Sequence, residues 1–196
     1  MKNLLTLSLL LFCLPLVAQV NTKGFFLGGG FAAGSIAYNE DNIDETAGSG
    51  GFGLRIGYGF SPTFTLYANL AGYRAQGQEN TLFREDYNYG IFELGGRFYF
   101  GQKIKPVVFY ADVALQAVSA LPIEDPEIRL NGGGLTLGPG LLVFLGDKFA
   151  LDFGLRLSGG SITEVETDFG SINLSNDNFN YGWARLNFGV AWYPSN

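Results

Sequence analysis

The sequence predicts an all-β fold: an eight-stranded antiparallel up-and-down transmembrane β-barrel. Three observations carry that expectation. Short stretches recur in which every second residue is large and apolar while glycine or a charged residue stands between, as in Phe52-Gly53-Leu54-Arg55-Ile56-Gly57-Tyr58-Gly59-Phe60. Bulky apolar groups on one face, with small or charged groups on the other, suit a barrel whose outer solvent is lipid. The links between these stretches alternate between tight turns and long acidic segments, as an up-and-down barrel requires. Finally, 29 glycines in 196 residues is about twice average usage and fits strands that curve and pack closely in a small barrel.

The elements follow in order. Lys2, the apolar run Leu4 to Leu16 and the small ending Val17-Ala18 have the form of a secretory signal peptide over residues 1–18, cut after Ala18. The barrel domain would then occupy residues 19–196. The run is too short for a spanning helix, and Phe12 is too bulky a neighbour for Cys13 to belong to a lipobox. If Cys13 leaves with the leader, no cysteine remains for a disulfide, a thiol nucleophile or a metal. Strands are expected near 24–38, 50–60, 63–74, 88–100, 106–118, 133–145, 148–160 and 180–193. The glycines and Phe25-Phe26 blur the phase of the first. The fourth sets Phe92, Leu94, Phe98 and Phe100 against Ile91, Glu93, Arg97 and Tyr99. The fifth sets Val107, Phe109, Ala111, Val113 and Leu115 against Tyr110, Asp112 and Gln116. In the seventh, Phe149, Phe153, Leu155 and Leu157 alternate around Asp152 and Arg156. In the eighth, Leu186, Phe188, Val190 and Trp192 oppose Arg185 and Asn187.

Short turns fall at Ser61-Pro62, Gly101 to Lys105 and Gly146-Asp147. Long links are expected at 39–49, 75–87, 119–132 and 161–179, and these hold 14 of the 18 acids. Lys23, Lys103, Lys105 and Lys148 lie at the opposite, short-turn end. Most of the other ionisable residues fall on the inward phase: Arg55, Glu93, Arg97, Asp112, Asp152, Arg156 and Arg185. Eight strands enclose a lumen that side chains fill, so these residues are expected to neutralise one another as a salt-bridge network. An anion-binding cluster or a general base is the chemical alternative. Aromatic residues gather near both strand ends, with Tyr58, Phe60, Phe64, Phe98, Phe100, Phe149, Trp192 and Tyr193 at one. Tyr38, Tyr73, Tyr87, Tyr89, Tyr181 and Trp183 gather at the other, so two interfacial belts are expected.

Composition also excludes chemistries. The chain has no histidine, which removes the usual base of serine and cysteine hydrolases and the commonest metal ligand. No enzyme activity, cofactor or confident metal site is expected. The acidic cluster Glu40, Asp41, Asp44 and Glu45 is a candidate loop cation site, since carboxylates suit hard divalent ions, although it lacks EF-hand spacing. Gly28-Gly29-Gly30 and Gly132-Gly133-Gly134 lack the context of phosphate loops. A net charge of −6, more negative once Lys2 is lost, argues against a nucleic-acid partner.

With its leader, the hairpin Leu54-Arg55-Ile56-Gly57-Tyr58 before Ser61-Pro62, the strand end Gly95-Gly96-Arg97-Phe98-Tyr99-Phe100 and the aromatic finish Phe188 to Tyr193, the chain resembles the small outer-membrane β-barrel family of Gram-negative bacteria. That family includes the barrel domain of outer-membrane protein A and its loop-presenting relatives. The resemblance implies export to the outer membrane, contact with its lipid and lipopolysaccharide, and handling by the barrel-assembly machinery. That machinery reads an aromatic last strand, and here Trp192-Tyr193 is followed by Pro194-Ser195-Asn196, a departure from the pattern. No peptidoglycan-binding domain is implied. Lipid A-modifying barrels of this size use histidine, which is missing.

The expected role is structural or surface-interacting and non-enzymatic, with four long acidic extracellular loops available to a divalent cation or other extracellular ligand. A narrow ion channel is the alternative. A soluble lipocalin-like periplasmic carrier is the third reading, and it would place Arg55, Arg97 and Arg156 on the wet exterior.

Overall fold

A computed structural model describes residues 22–40, 43–77, 86–100, 106–123, 127–174 and 179–194. The proposed signal peptide lies outside them. Nine strands are present among the described residues: β1 (Gly24–Glu40), β2 (Ile43–Ser61), β3 (Phe64–Ala75), β4 (Tyr87–Phe100), β5 (Val107–Pro122), β6 (Arg129–Phe144), β7 (Phe149–Thr167), β8 (Gly170–Asn173) and β9 (Asn180–Trp192). Each strand from β1 to β7 pairs with the next, and β9 pairs with both β7 and β1. Eight strands therefore close into a barrel in which every pairing is antiparallel. Closure removes the unpaired edges that lipid cannot solvate. The short β8 stands outside this ring, paired with the far end of β7.

Facing follows the alternation. Phe52, Leu54, Ile56, Tyr58 and Phe60 are exposed on the outer wall, as are Phe92, Leu94, Phe98 and Phe100 on β4. Arg97 and Arg185 are fully buried in the lumen. The inward charges and outward apolar side chains are the reverse of a lipocalin-like arrangement.

The long links differ from the expected bounds. β1 and β2 continue to pair through residues 39–49, up to Glu40 opposite Ile43. Glu40, Asp44 and Glu45 thus stand on paired strands; their side chains, and Asp41 altogether, lie outside the described residues. Small residues such as Thr46, Ala47, Gly48 and Ser49 hide the period-two signal here, although their backbone pairs normally. The link at 119–132 shrinks because β5 reaches Pro122 and β6 begins at Arg129. The link at 161–179 is largely a hairpin, in which β7 runs to Thr167 and turns into β8, leaving Phe169 fully exposed at its tip.

One aromatic belt is on the outer wall, where Tyr58, Phe60, Phe98, Phe100, Phe149 and Trp192 are exposed near the short turns. The second belt is not. Tyr38, Tyr73, Tyr89, Tyr181 and Trp183 are all buried in the lumen, and Tyr193 is buried at the opposite end. Tyr181 and Trp183 share the parity of Arg185, which already placed them on the inward face. The tyrosines and Trp183 pack with Ile36, Ile91 and Val118 as a plug under the long-link end. A second apolar layer of Phe26, Tyr67, Tyr99, Val108, Leu142, Phe144 and Tyr193 fills the short-turn end. The charged residues lie between the two.

Glycines make room for these rings. Tyr110 lies over Gly140 and Gly154, and Tyr181 over Gly134 and Gly160, so the aromatic groups occupy space that side chains would take. The short turn after β6 uses Gly146 at φ 89°, a backbone conformation that costs glycine little.

Candidate functional site: a chain of charges across the lumen

The middle layer is built from neighbouring strands. Arg55 comes from β2, Glu93 and Arg97 from β4, Asp112 from β5, Asp152 and Arg156 from β7, and Arg185 from β9. Register sets Arg97 directly opposite Asp112 and Asn69 opposite Glu93. It also sets Arg156 opposite Arg185, a like-charged pair that is tolerated because a carboxylate meets both.

The seven side chains form one sequence of alternating sign. Arg185 Nη2 donates to Glu93 Oε1 at 2.9 Å, and Arg156 Nη1 to Glu93 Oε2 at 2.5 Å. Arg156 Nη2 continues to Asp112 Oδ2 at 2.7 Å. Arg97 grips Asp112 through Nε at 2.7 Å and Nη2 at 3.0 Å, the two-pronged geometry that guanidinium and carboxylate favour. Its Nη1 reaches Asp152 Oδ2 at 3.0 Å, where Arg55 Nη1 also donates at 3.1 Å. The order is therefore Arg185, Glu93, Arg156, Asp112, Arg97, Asp152, Arg55, with arginine at both ends.

Neutral groups complete the layer. Asn69 Nδ2 donates to Glu93 Oε2 at 3.0 Å and the Tyr110 hydroxyl to Asp152 Oδ1 at 2.5 Å. The Thr136 hydroxyl lies 3.1 Å from Glu93 Oε1 and 2.8 Å from Ser158 Oγ. Arg97 also stacks 3.6 Å from the centre of the Tyr110 ring, and Arg185 lies 4.9 Å from that of Trp183. Such faces stabilise a cation withdrawn from water. Sequence reasoning missed Asn69, Thr136, Ser158 and Tyr110 as partners in this layer, and Trp183 as the ring of the neighbouring plug that meets Arg185. Their inward parity was the available signal.

Every one of the seven charged side chains of this layer is engaged in at least one ion pair. Among the described residues no group of three or more Cys, Asp or Glu converges as a metal site. Outside the barrel wall, Arg74 Nη2 and Nε donate to Asp86 Oδ2 at 2.6 and 3.1 Å, and the Gly77 N–H donates to Oδ1 at 3.0 Å. The Arg74 guanidinium, helped by that backbone donor, holds the Asp86 carboxyl below its ordinary pKa.

Comparison with known proteins gives the same architecture. Residues 4–191 match the family model for the outer membrane protein beta-barrel domain. The crystal structure of Neisserial surface protein A is 17% identical, covers 87% of this chain and 97% of that one, and has a TM-score of 0.62. OprG of Pseudomonas aeruginosa is 14% identical, with coverages of 89% and 98% and a TM-score of 0.57. Ail, the attachment invasion locus protein of Yersinia pestis, crystallised with the heparin analogue sucrose octasulfate, is 17% identical, with coverages of 87% and 99% and a TM-score of 0.51. At these identities the likeness is one of fold. No curated protein matches the chain significantly. From its matched span and its closed eight-stranded wall, the chain belongs to the outer membrane protein β-barrel domain family and resides in the outer membrane of a Gram-negative bacterium.

Proposed function

We propose that this barrel has a non-enzymatic structural or surface-interaction role, with its lumen closed by the charge chain and its long-link end turned outward. The observation that carries the reading is the middle layer itself. Each of its carboxylates is bound by two arginines, and aromatic layers lie above and below it. Side chains so engaged hold a barrel together instead of turning over a substrate. Two neighbours of this fold carry the printed descriptions surface protein and attachment invasion locus protein, which favours a role at the cell surface. The acids of the long links would face lipopolysaccharide phosphates through shared divalent cations. The last strand, ending at Trp192, would be the part read by the barrel-assembly machinery.

Planar-bilayer recording of the folded full barrel tests the closed lumen. The expected result is no steady conductance from the native protein, and a conductance that appears when Arg97 and Arg156 are both replaced by alanine. A steady native conductance that changes with lumen charge overturns the reading in favour of a narrow channel.

A further inference from the structure

The outer wall carries apolar side chains of unequal reach. One cross-strand row sets Phe109 of β5 opposite Leu141 of β6, Leu141 opposite Phe153 of β7, and Phe153 opposite Phe188 of β9. The centres of the Phe153 and Phe188 rings lie 5.0 Å apart, so the row stands as a ridge. In the next row toward the long-link end, β5 and β6 face each other with two short side chains, Ala111 and Pro139. One row further on, Val113, Leu137 and Leu157 are exposed again. The wall dips between these rows. At the same place the β6–β7 register skips Gly138 and Pro139.

An open groove of about 550 Å³ occupies this part of the wall. It is lined by the ridge, by Pro139, Leu155 and Leu186, and by Gly140 and Gly154, and Asn187 is the only lining residue with a polar side chain. Phe153 and Leu155 are recessed in it, at 37% and 36% exposure against 59% for Phe109 and 68% for Leu186. Its depth in the membrane follows from the strands. Phe153 and Phe188 each stand four residues from the aromatic belt of the short-turn end, at Phe149 on β7 and Trp192 on β9. At about 3.3 Å per residue and a tilt of about 35–45°, the ridge lies about 10 Å into the apolar band, short of its middle.

At that depth a bilayer offers acyl chains and no headgroups. The groove carries no charged side chain and is continuous with the lipid-facing wall. It also lies in the half of the band next to the short turns, which outer-membrane barrels place on the periplasmic side. We propose that the groove holds one acyl chain of a periplasmic-leaflet phospholipid in preference to the rest of the wall. A chain on a smooth wall touches side chains along one side only. In the groove it meets the ridge and the floor together, and those extra carbon contacts are small singly and large in sum. The inference concerns the lipid-facing wall and does not depend on whether the lumen conducts.

The test irradiates the full barrel in phospholipid vesicles containing a small fraction of phosphatidylethanolamine with a diazirine at the middle of one acyl chain, and maps the labelled residues by mass spectrometry. Labelling at 139–141, 153–155 and 186–188 is expected to exceed that at the outward-facing Ile56 and Leu94 about tenfold, the ratio given by a preference of about 1.4 kcal/mol. Even labelling around the wall overturns the proposal. Pro139→Phe fills the floor of the groove and should bring labelling at 153–155 and 186–188 down to the level at Ile56, in a barrel that keeps its heat-dependent mobility. Leu186→Phe narrows the groove from β9 and gives the same readout if Pro139→Phe does not fold. Undiminished labelling in the folded variant overturns the proposal. So does labelling displaced by lipopolysaccharide and not by unlabelled phospholipid, which assigns the chain to the other leaflet. A groove shielded from label in a barrel that runs as a dimer on unboiled gels overturns it in favour of a second copy.

Discussion

Arg97 meets Asp112 through two nitrogens, Asp152 through a third and Tyr110 through its face, so its loss strands two buried carboxylates at once. Arg97→Ala is therefore expected to lower stability by about 3–5 kcal/mol, measured by urea titration in lipid vesicles, with binding to lipopolysaccharide vesicles unchanged. A normal midpoint with altered binding would contradict the structural role. Asp86 gives a second prediction at this scale. Its carboxyl is held below the ordinary value by Arg74 and then by the Gly77 N–H, so the clamp contributes fully above the unfolded aspartate pKa of about 3.9. It is lost as pH falls through the lower folded value. A carbon NMR titration should place the Asp86 midpoint below that of an ordinary aspartate, and Arg74→Ala should raise it. Parity in the sequence says which side a residue faces, yet says nothing of pairing. Glu93 meets Arg156 and Arg185 across 63 and 92 positions, and only closure of the wall determines such partners. The parity of Asn69 and Thr136 marks them as inward, but a polar neutral residue leaves no charge pattern from which to read that both meet Glu93.

At the scale of elements, the strands are tied together by rings laid over glycines. A Cβ on Gly140 would overlap the Tyr110 ring and come within 2.6 Å of Phe153 O. Tyr110 is also the partner of Asp152 and Arg97, so it has no free direction in which to move. Gly140→Ala is expected to cost about 1–3 kcal/mol and reduce the folded yield. Gly90→Ala should fold like the native chain, since a Cβ there meets nothing within 4 Å. Folded fractions on unboiled gels compare the two directly. The cores of the strands were legible because lipid-facing Phe and Leu alternate with small or charged residues over many positions. Their outer ends were not, since beyond the apolar zone a paired backbone tolerates Thr46, Gly48 or Ser49 with no repeating signal. The same blindness hid β8. Pro139 shows the converse: the β6–β7 register skips Gly138 and Pro139, where the proline nitrogen has no hydrogen to donate, yet β6 continues because its pairing with β5 is unbroken.

For the whole molecule, fold class and compartment were legible, because alternation, alternating link lengths and the inward phase of the charges all depend on one physical fact, an apolar solvent outside. The outer ring of tyrosines was misplaced because proximity to a strand end was weighed above parity. Leu94 lies at the middle of β4 on the exposed face. Leu94→Arg is expected to destabilise the barrel by about 2–4 kcal/mol in bilayers, and by much less in short-chain detergent that lets water reach the side chain. Comparing urea midpoints in the two media checks it, and equal losses would contradict a lipid-facing wall.

The alternating order of charges also bears on how the molecule is made. Only Arg97 and Asp112 are close in sequence and on consecutive strands; Arg55 and Asp152 stand 97 positions apart. Arg185, which completes the coordination of Glu93, arrives on the final strand. A nascent barrel open between its first and last strands therefore holds acids and bases whose partners are not yet present, and it cannot dehydrate its interior cheaply. Seam formation and neutralisation become a single late event, with the slow kinetics that distant pairings impose. A chain truncated before β9 lacks the Arg185 partner of Glu93, and is expected to be cleaved by added protease under conditions in which the complete barrel is resistant.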